Sequence, residues 1–184
     1  LAADQGYAFP QYQLGLIYIN KDINKSIHYF KLAAEQNFTQ AQYQLGQLYE
    51  KGEKIQRDLD KAIYYYKQAS ESNTEAYFRL GCIYEYSLFD FNKAIENYTQ
   101  AASRNHPIAQ LYLGHIYYSG RYEKFDIQKA IYYYTLSANQ DIADAQLNLG
   151  EIYAECEYVK KDIKKAIYYF ELLAKKNVVE AIFR

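Results

Sequence analysis

The sequence contains no Met and no Trp, and only two Cys, in 184 residues. Without Met the natural initiator is missing, so the chain is expected to be processed or excised from a longer one. Two cysteines cannot build a disulfide framework. No apolar run approaches the ~20 residues of a membrane span, and residues 1–15 lack the basic start and apolar run of a signal peptide. Neither sign of charge dominates: 21 basic against 22 acidic residues give a net charge of −1. That excludes a general pull toward nucleic acid or anionic membrane and leaves only a local patch to supply one. By default the compartment is the cytoplasm. The sequons at Asn24, Asn37 and Asn97 keep an exported setting open.

Half of the residues are apolar and 23% are charged, the composition of a folded chain. What stands out is repetition. The phrase KAIYYY fills residues 61–66 and recurs at 129–134; it returns as KAIYYF at 165–170, KSIHYF at 25–30 and KAIENY at 93–98. A second phrase, Leu-Gly followed three residues later by Tyr, appears at Gly15, Gly46, Gly81, Gly114 and Gly150. From phrase Lys to the next Gly the distance is 20 or 21 residues, whereas from Gly to the following Lys it is 10, 15, 12, 15 and 15. The second connection is elastic, as loops are.

Each unit reads as two helices. Helix A runs through the Leu-Gly-x-x-Tyr phrase, with apolar residues at helical spacing such as Ala41, Leu45, Leu48 and Tyr49. A glycine inside a helix costs roughly 1 kcal/mol against alanine, so its recurrence implies an approach too close for a side chain. Helix B follows Asp22, Asp58, Asp90, Asp126 or Asp162, each three residues before the phrase Lys and placed to cap the first turn. It ends twelve residues after that Lys, at Asn37, Asn73, Asn105, Asp141 or Asn177, with Gly6 at the equivalent place in the leading segment; all tolerate a left-handed turn. The phrase is therefore read as packing: Ala62 and Tyr66 face inward with Ile63 beside them, and Tyr64–Tyr66 are expected to be structural.

Leu-Gly-x-x-Tyr in helix A and Ala-x-x-x-Tyr/Phe in helix B resemble the tetratricopeptide skeleton. The longer A–B loop, with Gly52 in LYEKGEKIQRDLDKA and Gly120 in IYYSGRYEKFDIQKA, is more similar to the Sel-one-like repeat family of that superfamily. The resemblance implies an all-α, right-handed α-α superhelix (solenoid) of about five two-helix repeats. It also implies one array over 1–184, cut mid-repeat at both ends: a helix-B tail at 1–6, repeats near 7–37, 38–73, 74–105, 106–141 and 142–177, and a helix-A start at 178–184. Units one and three have shortened loops without the glycine, unit five has Cys156 in its place, and Pro10 replaces the small helix-A residue found as Ala41, Ala76, Ala109 and Ala145. Secreted, cysteine-rich members staple each unit. Here Cys82 and Cys156 lie two units apart, roughly 20 Å if helix layers stack at ~10 Å, beyond disulfide reach, so both should be thiols.

No catalytic constellation emerges. The three histidines fall in unrelated places: His28 at a helix-B packing position, His106 in a turn, His115 after Gly114. There is no His-x-x-x-His or Cys-x-x-Cys pair and no phosphate-cradling glycine motif. No cofactor or metal is expected, and the chain is read as not an enzyme.

What remains is a surface. By the resemblance, helix A lines the concave side, exposing positions three before the glycine and one and four after it. These are Tyr43, Gln47 and Glu50; Phe78, Cys82 and Glu85; Leu111, His115 and Tyr118; Leu147, Glu151 and Ala154; with Tyr12, Leu16 and Ile19 extending the stripe. They differ between units, as contacts to different parts of one partner would. Aromatic and aliphatic groups alternate with carboxylates, and only Arg79 and Asn148 stand near, so the expected ligand is a protein or peptide segment with apolar anchors and some positive charge. Part of the stripe is alternatively accounted for by packing against adjacent helices. The function expected is an interaction scaffold or adaptor. The alternative is a regulatory or targeting arm of an enzyme, such as a kinase, encoded elsewhere. Nucleic acid and membrane insertion are not expected as partners; end-to-end self-association through the cut ends stays open.

Overall fold

A computed structural model describes the chain over residues 6–182, with side chains described to Lys175. The described residues form ten α-helices and no strand: α1 (Ala8–Tyr18), α2 (Ile23–Ala34), α3 (Thr39–Lys51), α4 (Leu59–Ala69), α5 (Thr74–Tyr86), α6 (Phe91–Ser103), α7 (Pro107–Ser119), α8 (Ile127–Ala138), α9 (Ala143–Glu155) and α10 (Ile163–Ile182). The odd-numbered helices are the A helices and the even-numbered ones the B helices, in five pairs. By contact the chain divides into unit 1 (Leu1–Asn97) and unit 2 (Tyr98–Arg184), the division falling inside α6.

The capping aspartates do what their spacing requires. Asp22, Asp58, Asp90, Asp126 and Asp162 each accept the backbone N–H of the phrase Lys, at 3.0–3.1 Å. Their own backbone N–H groups donate back to the carbonyl of the A-helix tyrosine, Tyr18, Tyr49, Tyr84, Tyr117 or Tyr153, at 2.8–3.0 Å. Both ends of the A–B loop are thereby pinned, and its length is free to vary between them.

The two recurring phrases are halves of one contact. A Cβ built on Gly15, Gly46, Gly114 or Gly150 would come within 2.4–2.6 Å of the ring of Phe30, Tyr66, Tyr134 or Phe170, the last aromatic of the phrase on the partner helix. The rings of Phe30, Tyr66 and Tyr134 are buried, and each contributes roughly 2 kcal/mol by its removal from water. Beside this contact the A-helix tyrosine stacks on the middle aromatic of the phrase: Tyr49 on Tyr65 at 5.9 Å and 4°, Tyr117 on Tyr133 at 5.7 Å and 4°, Tyr153 on Tyr169 at 6.2 Å and 2°. The phrase Lys stands over the same A-helix ring in all five pairs, 4.6–5.4 Å from its centroid; each such contact is worth about 0.5–1 kcal/mol when exposed.

The turns from B to A helices are left-handed where expected at Gly6, Asn37, Asn105 and Asp141. Asn73 departs from expectation: it is extended (φ −132°) and precedes α5 directly. Only three residues separate Asn73 from Ala76, against four from Asn37 to Ala41, so the shortened turn omits the left-handed step. In the loop of unit three that lacks glycine, Phe89 takes a positive φ of 54°. The turn expected at Asn177 is also absent, because α10 continues to Ile182. The helix tail expected at 1–6 lies almost entirely outside the described residues, as do Phe183 and Arg184 of the expected new helix. Pro10 sits in the first turn of α1, where its missing N–H removes no helical bond.

Two packing expectations need correction. Tyr66 is buried and Tyr65 half-buried, but Tyr64 is exposed and meets only the edge of Tyr65. His28 is likewise exposed, edge-on to Tyr29. Both point away from the seam that the neighbouring phrase residues fill.

Candidate interaction surfaces

In unit 1 the A helices α3 and α5 bring the expected residues into one polar network. Gln47 donates to the Tyr43 hydroxyl at 3.1 Å, the Tyr66 hydroxyl donates to Glu50 at 2.5 Å, and Arg79 Nε donates to Glu75 at 3.0 Å. Arg79 also lies within electrostatic reach of Tyr43 and Glu50. Burial opposes its charge, yet Tyr43, Glu50 and Glu75 outweigh that and hold the guanidinium above its ordinary value. Burial, followed by the carboxylate of Glu75, raises the Tyr43 phenol. Burial and Glu50 push Tyr66 far above the usual phenol range. One arginine thus sits among two carboxylates, Glu50 and Glu75.

Phe78 and Cys82 lie half-buried on α5. Glu85, expected on the exposed stripe, is buried and so is withdrawn from any partner. Neither Cys82 nor Cys156 is in a disulfide. Glu75 was not singled out in the sequence; its signal is the Glu75-x-x-x-Arg79 spacing, which places opposite charges on one helix face.

In unit 2 the stripe lacks such a network. Tyr118 and Glu151, with Ala154, line a cleft of about 470 Å³ together with Glu155, Cys156 and Phe170. Tyr118 and Glu151 are exposed, as are Leu147 and His115 further along the same helices. His115 stands edge-on to Tyr134 at 5.4 Å; although one side of the ring meets solvent, desolvation of the other holds its imidazole below the ordinary value while Asp144 pulls the other way. Leu111 is a correction. It is buried in the core formed by Ala130, Tyr134, Ala138, Ala145, Leu149 and Ile152, because the following helix pair closes over it. Leu147, one repeat later, is exposed.

A further set escaped sequence reading. Gln42, Gln110 and Gln146 are buried, and each donates to a carbonyl in the last turn of the preceding B helix, that of Ala34, Ala102 or Ala138, at 3.2–3.3 Å. The recurring Ala-Gln at the start of helix A was the available signal. His106 acts similarly at a helix start, its Nδ1 accepting the Ala109 N–H at 3.1 Å. No cluster of potential metal ligands occurs among the described residues, and no helix among them is long and apolar enough to cross a membrane.

Comparison with known proteins matches this pattern of paired helices. The profile of the Sel1 repeat matches residues 6–38, 39–73, 74–106, 107–142 and 143–178. A solved Sel1 repeat protein from Oxalobacter formigenes is 34% identical, with a TM-score of 0.78 over 95% of this chain and 76% of that one. The c5321 protein, described as a protective antigen of uropathogenic Escherichia coli strains displaying an SLR fold, is 32% identical, with a TM-score of 0.76 over 92% of this chain and 38% of its own. The sel1-like repeat-containing protein L21 of Acanthamoeba polyphaga mimivirus is 32% identical over 123 residues; these make up 66% of this chain and 17% of that protein. Sel1 repeat proteins generally act as protein-interaction scaffolds.

Proposed function

The chain belongs to the Sel1 repeat family, and from that premise we propose that it holds a segment of a partner protein against the exposed faces of its A helices. The segment carries an apolar or aromatic anchor next to a lysine or arginine. One observation carries this reading: the unit 2 cleft sets two aromatic rings, Tyr118 and Phe170, beside two carboxylates, Glu151 and Glu155, with no basic side chain lining it. Rings and carboxylates together favour a cationic side chain on an apolar stem. In unit 1, Arg79 is already engaged by Glu75 and Tyr43, which disfavours a segment that presents a carboxylate there. The chain does no chemistry of its own in this reading. The alternative of a regulatory or targeting arm of an enzyme has no support in the matched relatives.

The test is selection from a random peptide display library, followed by affinity measurement on synthetic peptides. Selected sequences should pair an aromatic or aliphatic residue with Arg or Lys. A Tyr118→Ala/Glu151→Gln variant, shown to be folded by circular dichroism, should bind them at least about tenfold more weakly, the scale of one lost interfacial anchor. Selection of acidic peptides, or equal binding by the variant, would overturn the assignment.

A further inference from the structure

At the loop edge of unit 2, a cleft of about 560 Å³ opens between α8 and the loop that joins α9 to α10. Its floor is apolar: Ile131 and Val159 pack against the core, with Tyr153 beside them. Its rim is basic, since Lys160, Lys161 and Lys165 line it against one carboxylate, Asp162. Asp162 already caps α10 by accepting the Lys165 N–H at 3.1 Å. The Lys165 ammonium lies 3.9 Å from the same carboxylate and 4.7 Å from the centroid of the Tyr153 ring. Among the described residues, the side chains of Lys160 and Lys161 form no ion pair or hydrogen bond.

The preceding repeat shows what is particular to this loop. Lys160, Asp162 and Lys165 repeat Lys124, Asp126 and Lys129, but Val159 stands in the register of Glu123 and Lys161 in that of Phe125. Two lysines against two carboxylates thereby become three lysines against one. Lys124, Phe125 and Lys129 are exposed although α9 and α10 follow them, so solvent reaches this register even where a further helix pair is in place.

The unpaired charge sets the ligand's chemistry. Adjacent ammonium groups repel one another, and an anion held between them relieves that repulsion. A carboxylate neutralises one of the two. A phosphomonoester, with a charge of about −1.5 to −2 near pH 7 and three acceptor oxygens, neutralises both, and lysine binds phosphate as a point charge. A net charge of −1 on the whole chain disfavours an extended polyanion or an anionic bilayer and favours a single phosphoryl group. We propose that this cleft binds a phosphorylated side chain of a partner segment, its phosphoryl group at Lys160 and Lys161 and its carbon stem on Ile131 and Val159. The cleft shares no lining residue with the one at Tyr118, so the two sites can be tested apart.

Fluorescence anisotropy of the full chain with labelled degenerate peptide pools tests this, the central residue fixed as phosphotyrosine, phosphoserine, tyrosine or glutamate. A phosphorylated pool should bind at least about tenfold more tightly than the glutamate pool. Lys160→Gln/Lys161→Gln should weaken that binding at least about tenfold, and Lys161→Phe, which installs the residue of the preceding repeat, should weaken it too. Lys164 is an exposed lysine nearby that does not line the cleft; Lys164→Gln should bind within about twofold of wild type, because salt screens exposed charges off the site. All three lysines are exposed, so the variants should stay folded by circular dichroism. Equal binding of the phosphorylated and glutamate pools, no binding of either phosphorylated pool, no effect of the double variant, or an equal loss in Lys164→Gln would each overturn the proposal. So would tighter binding to phosphatidic acid vesicles or to single-stranded RNA that the double variant abolishes, which would give the cleft to a lipid or a nucleic acid.

Discussion

Units 1 and 2 share a framework and differ in what they place on it. In both, the last aromatic of the phrase lies on a glycine, a lysine stands over a tyrosine ring, and an aspartate caps the following helix. On the A-helix stripe they part. Unit 1 ties Tyr43, Gln47, Glu50, Glu75 and Arg79 into hydrogen bonds and ion pairs, while unit 2 leaves Tyr118, Glu151 and Leu147 exposed. The same scaffold can thus carry either a self-satisfied polar face or one with unused groups.

The largest expected effect tests the shared part. Gly46→Ala and Gly114→Ala each drive a Cβ to within 2.4–2.6 Å of a buried ring. Overpacking of this kind costs about 1–3 kcal/mol, of which the better helix propensity of alanine recovers up to about 1 kcal/mol. Chemical denaturation should show both variants destabilised to a similar extent. A loss in only one would break the equivalence of the two frameworks.

The next prediction separates the units. Tyr66→Phe removes a hydroxyl that donates to Glu50 at 2.5 Å, and bonds to charged groups contribute about 1.5–3 kcal/mol. Tyr134 occupies the same register with no hydrogen bond from its hydroxyl among the described residues, so Tyr134→Phe should leave stability nearly unchanged. Equal costs in the two denaturation curves would contradict the contrast.

A pH effect follows from the same rings. Burial raises the phenols of Tyr66 and Tyr134 above their ordinary value, so the folded state disfavours their ionisation. Their contribution is fully present below the unfolded phenol pKa of about 10 and is lost as pH rises above it. Near-ultraviolet titration should show a class of tyrosines that ionises only together with alkaline unfolding, and Tyr134→Phe should shrink that class.

The smallest effect lies at the helix starts. Lys61 and Lys93, by hydrogen bond and charge, hold the Asp58 and Asp90 carboxyls below the usual carboxylate range. That contribution is present at neutral pH and fades as pH falls below the unfolded carboxylate pKa. Asp58→Asn/Asp90→Asn should flatten the acid limb of the stability curve slightly, by lowering stability at neutral pH while leaving it unchanged in acid, where both carboxyls are protonated.

Helices, caps and most turns were legible because a repeat writes each constraint several times over. Asp58 could be read as a cap, and Gly46 as a close approach, since the same residue returns at the same offset. The stripe was less legible because its residues do not repeat. Tyr43 and Leu111 hold the same register, yet the first joins a polar network and the second is sealed into the core; the difference lies in the neighbouring helix, which no local pattern reports. Tyr64 misled for the opposite reason, since it repeats in the phrase yet faces solvent. A repeated residue signals a repeated environment, and that environment need not be an interior.

The central claim is that recognition belongs to the A-helix faces while the B helices serve packing. Its most direct test places a photo-crosslinking phenylalanine derivative at Tyr118 on α7 or at Tyr132 on α8, both exposed tyrosines, in the presence of a library-selected peptide. Crosslinking from position 118 and not from position 132 is the predicted result. Crosslinking from position 132 alone would contradict the account and move the binding surface to the opposite helices.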